Sequence, residues 1–163
     1  MIRPATTADL DIIEQELPAI VAAMRATGND QWGLAYPTMD RFAADLDAGH
    51  LYVDEEGEVR GFAVFNETEP DVYDTLPWTV PRPATIIHRL AVLPEFRRQG
   101  VADGLFAYAE AVARDKHQGL RTDTSTRNEA MLALFAKRGW RAVGSVRFPG
   151  RETDFIAWEK AVR

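Results

Sequence analysis

The pattern of hydrophobic and polar positions predicts eleven elements that change between strand and helix along the chain. Short runs with β-branched residues or two-residue alternation predict strands, and apolar residues spaced three and four apart predict helices. The predicted order is β-α-α-β-β-β-α-β-α-β-β, with hairpins early and late and one βαβ unit between them. This order is typical of an α+β (mixed α/β) fold, with a mixed, mostly antiparallel twisted sheet and helices on both faces. The predicted strands span residues 1–5, 51–54, 59–65, 85–93, 120–123, 141–148 and 154–160, and the predicted helices residues 8–26, 39–48, 100–112 and 128–138.

The first predicted helix carries an internal proline. Its apolar face is formed by residues such as Leu10, Ile13, Ile20 and Met24. Pro18 lies inside this pattern, and proline removes one hydrogen bond of a helix and clashes with the preceding turn. We therefore expect the helix to kink or split there.

The strand, turn and helix of residues 85–108 are the most informative part of the sequence. Pro94 cannot donate to a sheet ladder, so the strand should end near Leu93. Residues 97–102, Arg-Arg-Gln-Gly-Val-Ala, form the junction, where side-chain-poor Gly100 and Ala102 allow a ligand to approach the backbone. Unpaired N–H groups and the helix dipole make such a junction suited to bind phosphate or pyrophosphate. The alternative is an ordinary helix entry with solvated arginines.

Two separate motifs resemble the GNAT superfamily of N-acetyltransferases. The first is Arg97-x-x-Gly100-x-Ala102, which is similar to the family's Arg/Gln-x-x-Gly-x-Gly/Ala signature. The second covers residues 128–140, where an asparagine, an alanine, a Leu-Phe pair and Gly-Trp are similar to the family's Asn-x-x-Ala…Leu-Tyr-x-Lys-x-Gly-Phe helix. The predicted order of elements also matches the GNAT fold over nearly the whole chain. The combination of residues 31–33 and 36–37 with Tyr73, Trp78 and His88-Arg89 resembles an uncharacterised bacterial-type subgroup of the family.

Other phosphate-binding motifs fit the sequence less well. Gly100, Ala102 and Gly104 have the wrong spacing for a dinucleotide-binding Gly-x-Gly-x-x-Gly turn, and residues 94–99 separate them from the strand end. The chain contains no Gly-x-x-x-x-Gly-Lys stretch, which excludes a P-loop.

Composition and charge restrict the class of protein. The 163 residues, 46% hydrophobic and 27% charged, are typical of one globular domain spanning residues 1–163. A net charge of −6 without a basic stripe disfavours nucleic acid and is compatible with a cationic small molecule. The sequence has no cysteine, no signal peptide pattern and no membrane-spanning run, so we expect a cytoplasmic protein without a membrane partner or a bound metal.

The family resemblance implies that acetyl-CoA (coenzyme A) is the cofactor. Backbone N–H groups of residues 98–103 would hold its pyrophosphate, and Leu90–Val92 would lie along the pantetheine arm and thioester. The N–H of Val92 would stabilise the thioester oxyanion. Asn128 would contact the cofactor, although Asn is also a common helix N-cap. The implied cofactor-binding residues are Leu90, Ala91, Val92, Arg97, Arg98, Gln99, Gly100, Val101, Ala102, Asp103, Asn128 and Phe135.

Two residues are candidates for the general base that deprotonates the amine, and no residue is assigned as the general acid. His88 is the first candidate base because alternation places it on the strand face of Leu90 and Val92. A structural histidine is the alternative. Glu67, with Glu69 nearby, is the second candidate, and exposed loop acids are the alternative there. The tyrosine that many family members use as general acid corresponds to Phe135, which has no proton to give.

Four aromatic residues are candidates for the pocket that binds the acceptor amine. Trp32, Tyr36, Tyr73 and Trp78 lie on polar loops and are candidate walls of an acceptor pocket, although such aromatic residues often only anchor loops. The resemblance implies an N-acetyltransferase acting on a primary amine of a small molecule by direct transfer through a ternary complex. A protein or peptide amine acetyltransferase and a non-catalytic acyl-CoA-binding sensor are the alternatives. A homodimer is compatible with the sequence by family analogy only.

Overall fold

The computed structural model describes residues 1–162 and confirms the predicted order of elements. The strands are β1 Ile2–Pro4, β2 Leu51–Glu56, β3 Glu58–Asn66, β4 Thr85–Val92, β5 Leu120–Ser125, β6 Arg141–Val146 and β7 Phe155–Lys160. The helices are α1 Thr7–Ala26, α2 Met39–Asp47, α3 Val101–Asp115 and α4 Glu129–Lys137, with short 3-10 helices at Asp71–Thr75 and Pro94–Phe96.

The strands follow one another in the sheet in the order β1-β2-β3-β4-β5-β7-β6. The pairs β1–β2, β2–β3, β5–β7 and β6–β7 are antiparallel, whereas β4–β5 is parallel. The predicted mixed, mostly antiparallel sheet is therefore confirmed. By density of internal contacts the chain divides into two compact units, residues 1–65 with 87–108 and residues 66–86 with 109–163. The prediction of a single domain stays a prediction.

The first unit has an apolar core made by α1, α2 and the strands β2 to β4. Buried Ile13 and Ile20 of α1 and Phe42 of α2 pack in one cluster with Val53 of β2 and Phe62 of β3. The rings of Phe42 and Phe62 meet edge to face at a centroid distance of 5.4 Å. Such burial and ring geometry stabilise the placement of α2 beside the strands.

Helix α1 is continuous across its proline. Pro18 lies inside the single helix Thr7–Ala26, so the helix does not split there, and a kink at Pro18 stays a prediction. The apolar residues on either side, Ile13 and Ile20, are both fully buried in the core. Burial of one face along the whole helix offsets the hydrogen bond that proline removes.

The second unit contains the loop between β3 and β4 together with β5, α4 and the closing hairpin of β6 and β7. Tyr73 of the loop packs with Val80, Ala84 and Ile86 in a smaller apolar cluster. Strand β7 pairs with β5 from Leu120 to Ser125. None of the helices in residues 1–162 is long and apolar enough to cross a membrane.

Candidate functional site

The turn before α3 has the backbone shape that the sequence predicts for an anion site. Arg98 and Gly100 adopt left-handed conformations, with φ of 61° and 81°. The Gly100 carbonyl accepts the first helical hydrogen bond, from the N–H of Gly104, at 2.9 Å. The N–H groups of Val101, Ala102 and Asp103 therefore belong to the first helical turn, where no preceding carbonyl of the helix can accept from them. This is the geometry with which helix N-termini bind phosphate groups.

The turn lies at the surface of the first unit. Arg98, Gln99 and Gly100 are exposed. The amide of Gln99 donates to the Glu95 carbonyl at 3.0 Å, and this bond holds the side chain against the turn. A Cβ at Gly100 would meet no atom within 4 Å, so space does not require a glycine here. The left-handed φ of this residue favours one.

Strand β4 is irregular just before the predicted thioester segment. Arg89 has a φ of 46°, a left-handed conformation that is uncommon for a residue with a side chain. The ladder to β5 pairs Thr85 with Leu120 and Ile86 with Arg121, at the start of the strand. A left-handed residue inside a strand changes the direction of the backbone beyond it, as in a β-bulge. The irregularity therefore sets the orientation of Leu90–Val92.

The side chain of Arg89 is fixed by two partners of the first unit. Its Nε and Nη2 donate to the two carboxylate oxygens of Asp45, both at 2.7 Å, and its Nη1 donates to the hydroxyl of Tyr36 at 3.0 Å. Both side chains of the ion pair are 8% exposed. Burial opposes the charged form, but the hydrogen bonds to Asp45 and Tyr36 raise the pKa of Arg89 above its usual range. Arg89 therefore keeps its positive charge, and the Asp45 carboxylate balances that charge.

His88 lies on β4 and is partly buried. Its predicted place on the face of Leu90 and Val92 requires unbroken alternation along the strand, and the left-handed Arg89 lies between them. The strand pattern alone thus no longer supports that placement. The role of His88 as a base stays a prediction that its pH profile must test.

Gly61 on β3 packs closely against three residues of the predicted cofactor segment, Ala91, Val92 and Val101. A Cβ at this position would lie 2.8 Å from the carbonyl oxygen of Ala91, 2.8 Å from Cγ1 of Val101 and 3.5 Å from Cα of Val92. The first two distances are shorter than real Cβ contacts, so only glycine fits here without displacement. The close approach fixes the strand Leu90–Val92 beside the first residue of α3.

The loop of residues 66–84 in the second unit is held by buried polar anchors. The carboxylate of Glu159 accepts from the backbone N–H groups of Thr79 and Val80, at 3.0 and 2.9 Å. The guanidinium of Arg121 donates to Glu69 at 2.7 Å and also to the Val80 carbonyl. Such charge-assisted bonds stabilise an otherwise irregular segment.

Tyr73 and Asp123 form a tight pair in the same unit. The Tyr73 hydroxyl donates to a carboxylate oxygen of Asp123 at 2.5 Å, and Tyr73 is fully buried. Burial, followed by the Asp123 charge, raises the pKa of Tyr73 well above its usual value. Burial also raises the pKa of Asp123 to about 6, while the bond from Tyr73 and the charge of Arg151 oppose this rise. Asp123, which is only partly buried as a residue, was not predicted from the sequence as a site residue.

The predicted acceptor-site aromatic residues are divided between the two units. In the first, Trp32 is 2% exposed and its ring stacks on Phe62 at 6.3 Å, while Tyr36 is bound to Arg89. In the second, the indole N–H of Trp78 donates to the Tyr73 carbonyl at 2.8 Å. These contacts are what the anchoring alternative predicts, and lining of an acceptor pocket stays a prediction for all four.

Glu67, the second candidate base, takes part in a surface ion pair. Its carboxylate accepts from Lys116 Nζ and from Gln118 Nε2, both at 3.1 Å, and its side chain is 44% exposed. A cleft of about 470 Å³ lies beside it in the second unit. The residues lining this cleft are Glu67, Glu69, Pro70, Asp71, Asp74, Arg82, Pro83 and Ala84.

The second sequence motif has a structural role in helix α4. The Asn128 side chain accepts from the N–H of Met131 at 3.3 Å and donates to the Thr124 hydroxyl at 3.0 Å. Asn128 is therefore the N-cap that the alternative predicted, and its cofactor contact stays a prediction. Phe135 is 1% exposed, with its ring 5.3 Å from Trp140 and 5.0 Å from Trp158.

Comparison with known proteins agrees with this geometry. The model of the acetyltransferase (GNAT) family matches residues 17–140, so the chain belongs to this family. Among curated proteins, none matches the sequence.

Solved structures with the same fold cover the whole chain. A GNAT family acetyltransferase from Streptococcus agalactiae is 24% identical, with a TM-score of 0.86 over 100% of this chain and 95% of that one. An acetyltransferase from Staphylococcus aureus is 30% identical, with a TM-score of 0.74 over 100% and 99%. A third, from Salmonella typhimurium and solved with acetyl-CoA, is 20% identical, with a TM-score of 0.67 over 100% and 94%.

Proposed function

We propose that this acetyltransferase moves the acetyl group of acetyl-CoA to a primary amine of a small molecule, by direct transfer through a ternary complex. The observation that carries the proposal is the turn of residues 97–103, with left-handed Arg98 and Gly100 before an N–H-presenting helix start. Membership of the GNAT family and the acetyl-CoA bound to the Salmonella protein support the choice of cofactor.

The turn fits a pyrophosphate in both shape and charge. Its two left-handed residues shape the backbone before α3, and the N–H groups of Val101–Asp103 together with the helix dipole favour an anion. Arg98 adds an exposed cation beside it. In the same unit, the irregular β4 segment would hold the thioester end, where the N–H of Val92 would donate to the carbonyl oxygen as it gains negative charge.

Bound acetyl-CoA supplies an activated acetyl thioester. The amine nitrogen forms a bond to its carbonyl carbon, the carbon–sulfur bond breaks, and CoA leaves as a thiolate. The residues of this chain must first make the amine neutral, because an alkylammonium has a pKa near ~10.4, about three units above neutral pH, which corresponds to roughly 4 kcal/mol. His88 and Glu67 are our proposed proton acceptors, directly or through a water.

Protonation of the thiolate has no assigned side chain. Phe135 cannot donate, and Tyr73 is fully buried with its hydroxyl already donating a hydrogen bond to Asp123. Solvent or the amine's own proton would serve, since a thiol pKa is only about 8.5. Asn128 and Phe135 remain proposed cofactor contacts, and Trp32, Tyr36, Tyr73 and Trp78 remain proposed acceptor contacts.

Calorimetric titration with acetyl-CoA, beside dephospho-CoA and NAD, tests the cofactor. We expect micromolar binding of acetyl-CoA that is lost in Gly100→Glu. Gly57→Glu is the matched control, because Gly57 also has a left-handed φ, 78°, and no atom within 4 Å of its Cβ, but lies in the hairpin between β2 and β3. Failure of the folded wild type to bind acetyl-CoA, or equal losses in the two variants, would contradict the proposed site.

An amine panel then tests the acceptor. Thiol release is followed with small primary amines and with peptides that carry a free amino group. Turnover with small amines supports the proposal, whereas turnover with peptides alone would favour a protein or peptide acetyltransferase. Tight acetyl-CoA binding without turnover on either set would favour a sensor.

A further inference from the structure

Three side chains of the first unit form a hydrogen-bonded cluster that we name the Arg89 clamp: Arg89 of β4, Asp45 of α2 and Tyr36 of the α1–α2 connection. Two bonds of 2.7 Å join Arg89 to Asp45, and one of 3.0 Å joins it to Tyr36. Bidentate geometry of this kind fixes the orientation of the guanidinium plane as well as its distance from the carboxylate.

Within the clamp, the charge of Arg89 is balanced by a carboxylate of the protein itself. The side chain is 8% exposed, and its positive charge faces the Asp45 carboxylate, which is also 8% exposed. Arg89 is therefore not placed to bind an anionic ligand, although it lies on the strand predicted to hold the cofactor. Its role must be exerted through the positions of the groups it joins.

Arg89 is also the residue at which the strand departs from regular geometry. A left-handed φ of 46° places its Cβ close to its own carbonyl oxygen, a conformation that residues with side chains avoid. Conformations of this kind persist only where the surroundings fix them, and they concentrate at functional sites. The bidentate bond to Asp45 supplies such a restraint, because a regular strand would direct the guanidinium elsewhere.

The clamp joins the segments on which the proposed reaction depends. Arg89 directly precedes Leu90–Val92, the proposed thioester segment. Tyr36 belongs to the connection that carries two proposed acceptor contacts, and its carbonyl accepts from the N–H of Gly33 at 2.8 Å. A change at Tyr36 would therefore alter a contact of Arg89, the residue directly before the proposed thioester segment.

We propose that the Arg89 clamp is a positioning device, in which Asp45 and Tyr36 hold Arg89 left-handed so that the Val92 N–H points at the thioester oxygen. This inference rests on the proposed function. Arg89 and Asp45 are positioning residues, since neither needs to touch the reacting atoms. Tyr36 has this positioning role in addition to its proposed contact with the acceptor.

The test uses acetyl-CoA labelled with ¹³C at the thioester carbonyl. A hydrogen bond to that oxygen moves the carbonyl NMR signal downfield on binding, and calorimetry gives the affinity independently. The variant is Arg89→Met/Asp45→Leu, because an apolar pair can replace a buried ion pair without loss of stability. The matched control is Arg60→Met/Asp54→Leu, which removes another ion pair of the same unit, 2.7 Å long, with no left-handed residue in it.

We expect the clamp variant to bind acetyl-CoA within about threefold of wild type but to lose most of the downfield displacement, and the control to keep it. A retained displacement in the clamp variant would overturn the inference and leave the Arg89–Asp45 pair as an ordinary structural contact. Equal losses in the variant and the control would overturn it as well.

Two milder variants keep the inference falsifiable if the double variant does not fold. Arg89→Lys keeps the charge but not the bidentate geometry, and Tyr36→Phe removes one hydroxyl. Each should reduce the displacement, with Arg89→Lys giving the larger loss, and an unchanged signal in Arg89→Lys would overturn the inference. Failure of the wild type to bind acetyl-CoA is a different outcome, because it would overturn the proposed function itself.

Discussion

Replacing Gly61 by alanine should disturb the cofactor segment from inside the sheet. The added Cβ would lie 2.8 Å from the Ala91 carbonyl oxygen and 2.8 Å from Val101 Cγ1. Ordinary van der Waals contacts are 3.4–4 Å, so the strand β4 or the start of α3 must move by several tenths of an ångström. Because one of the atoms is backbone, a rotamer change cannot relieve the overlap.

Overpacking of this kind costs about 1–3 kcal/mol. A cost of about 2 kcal/mol lowers the melting temperature of a chain of this length by roughly 4–8 °C. The displaced atoms belong to Ala91 and Val101, both proposed to bind the cofactor. We therefore expect weaker acetyl-CoA binding in addition to lower stability, as measured by urea unfolding and by calorimetric titration.

Gly104→Ala is the matched control in the same unit. A Cβ at Gly104 would meet no atom within 4 Å, and the residue lies in helix α3. Alanine favours a helix over glycine by about 0.5–1 kcal/mol, so this variant should be more stable than the wild type. The reasoning about Gly61 would be refuted by a Gly61→Ala protein with wild-type stability and wild-type affinity for acetyl-CoA.

Three further substitutions test the chemistry. His88→Ala should lower kcat far more at low pH than at high pH, where the amine is already neutral, and an unchanged pH–rate profile would remove His88 from the mechanism. Phe135→Tyr should raise kcat if protonation of the thiolate limits the rate, and no gain would show that it does not. Because the pKa of Asp123 is raised to about 6 in the folded protein, its protonated form favours folding below about pH 4, and this contribution is lost as the pH rises through 6. Asp123→Asn should therefore be more stable than wild type at pH 7 by about 1–3 kcal/mol but not at pH 4, and urea unfolding curves with parallel pH dependence would contradict this.

The helix ends show how local signals in the sequence define local elements. Thr38 accepts from the N–H of Arg41 as the N-cap of α2, and Asn128 caps α4. Gly139, with a φ of 72°, follows the end of α4 as expected for a helix C-terminus. Each of these depends on groups within a few residues of one another, so sequence spacing suffices to predict them.

The splitting of α1 at Pro18 was a wrong expectation from a sequence rule, whereas the face of His88, which rests on the rule of strand alternation, stays a prediction. Both rules describe an isolated element, the alternation of a strand and the breaking of a helix by proline. In the folded chain, the bond between Arg89 and Asp45 accompanies a break in alternation, and the core keeps α1 continuous across Pro18. Tertiary contacts therefore override the local preference.

The sequence by itself determined the order of elements, the family and the turn of residues 97–103, because glycine placement and hydrophobic period act over short distances. Only the tertiary structure decided which polar groups meet. Arg89 and Asp45 are 44 residues apart, and Tyr73 and Asp123 are 50 apart. No spacing rule connects such residues, because their contact depends on how the helices and loops pack on the strands. Burial then raises the pKa values of Tyr73 and Asp123. It also strengthens the hydrogen bonds of such pairs, since a hydrogen bond or charge has its full effect only when water is excluded.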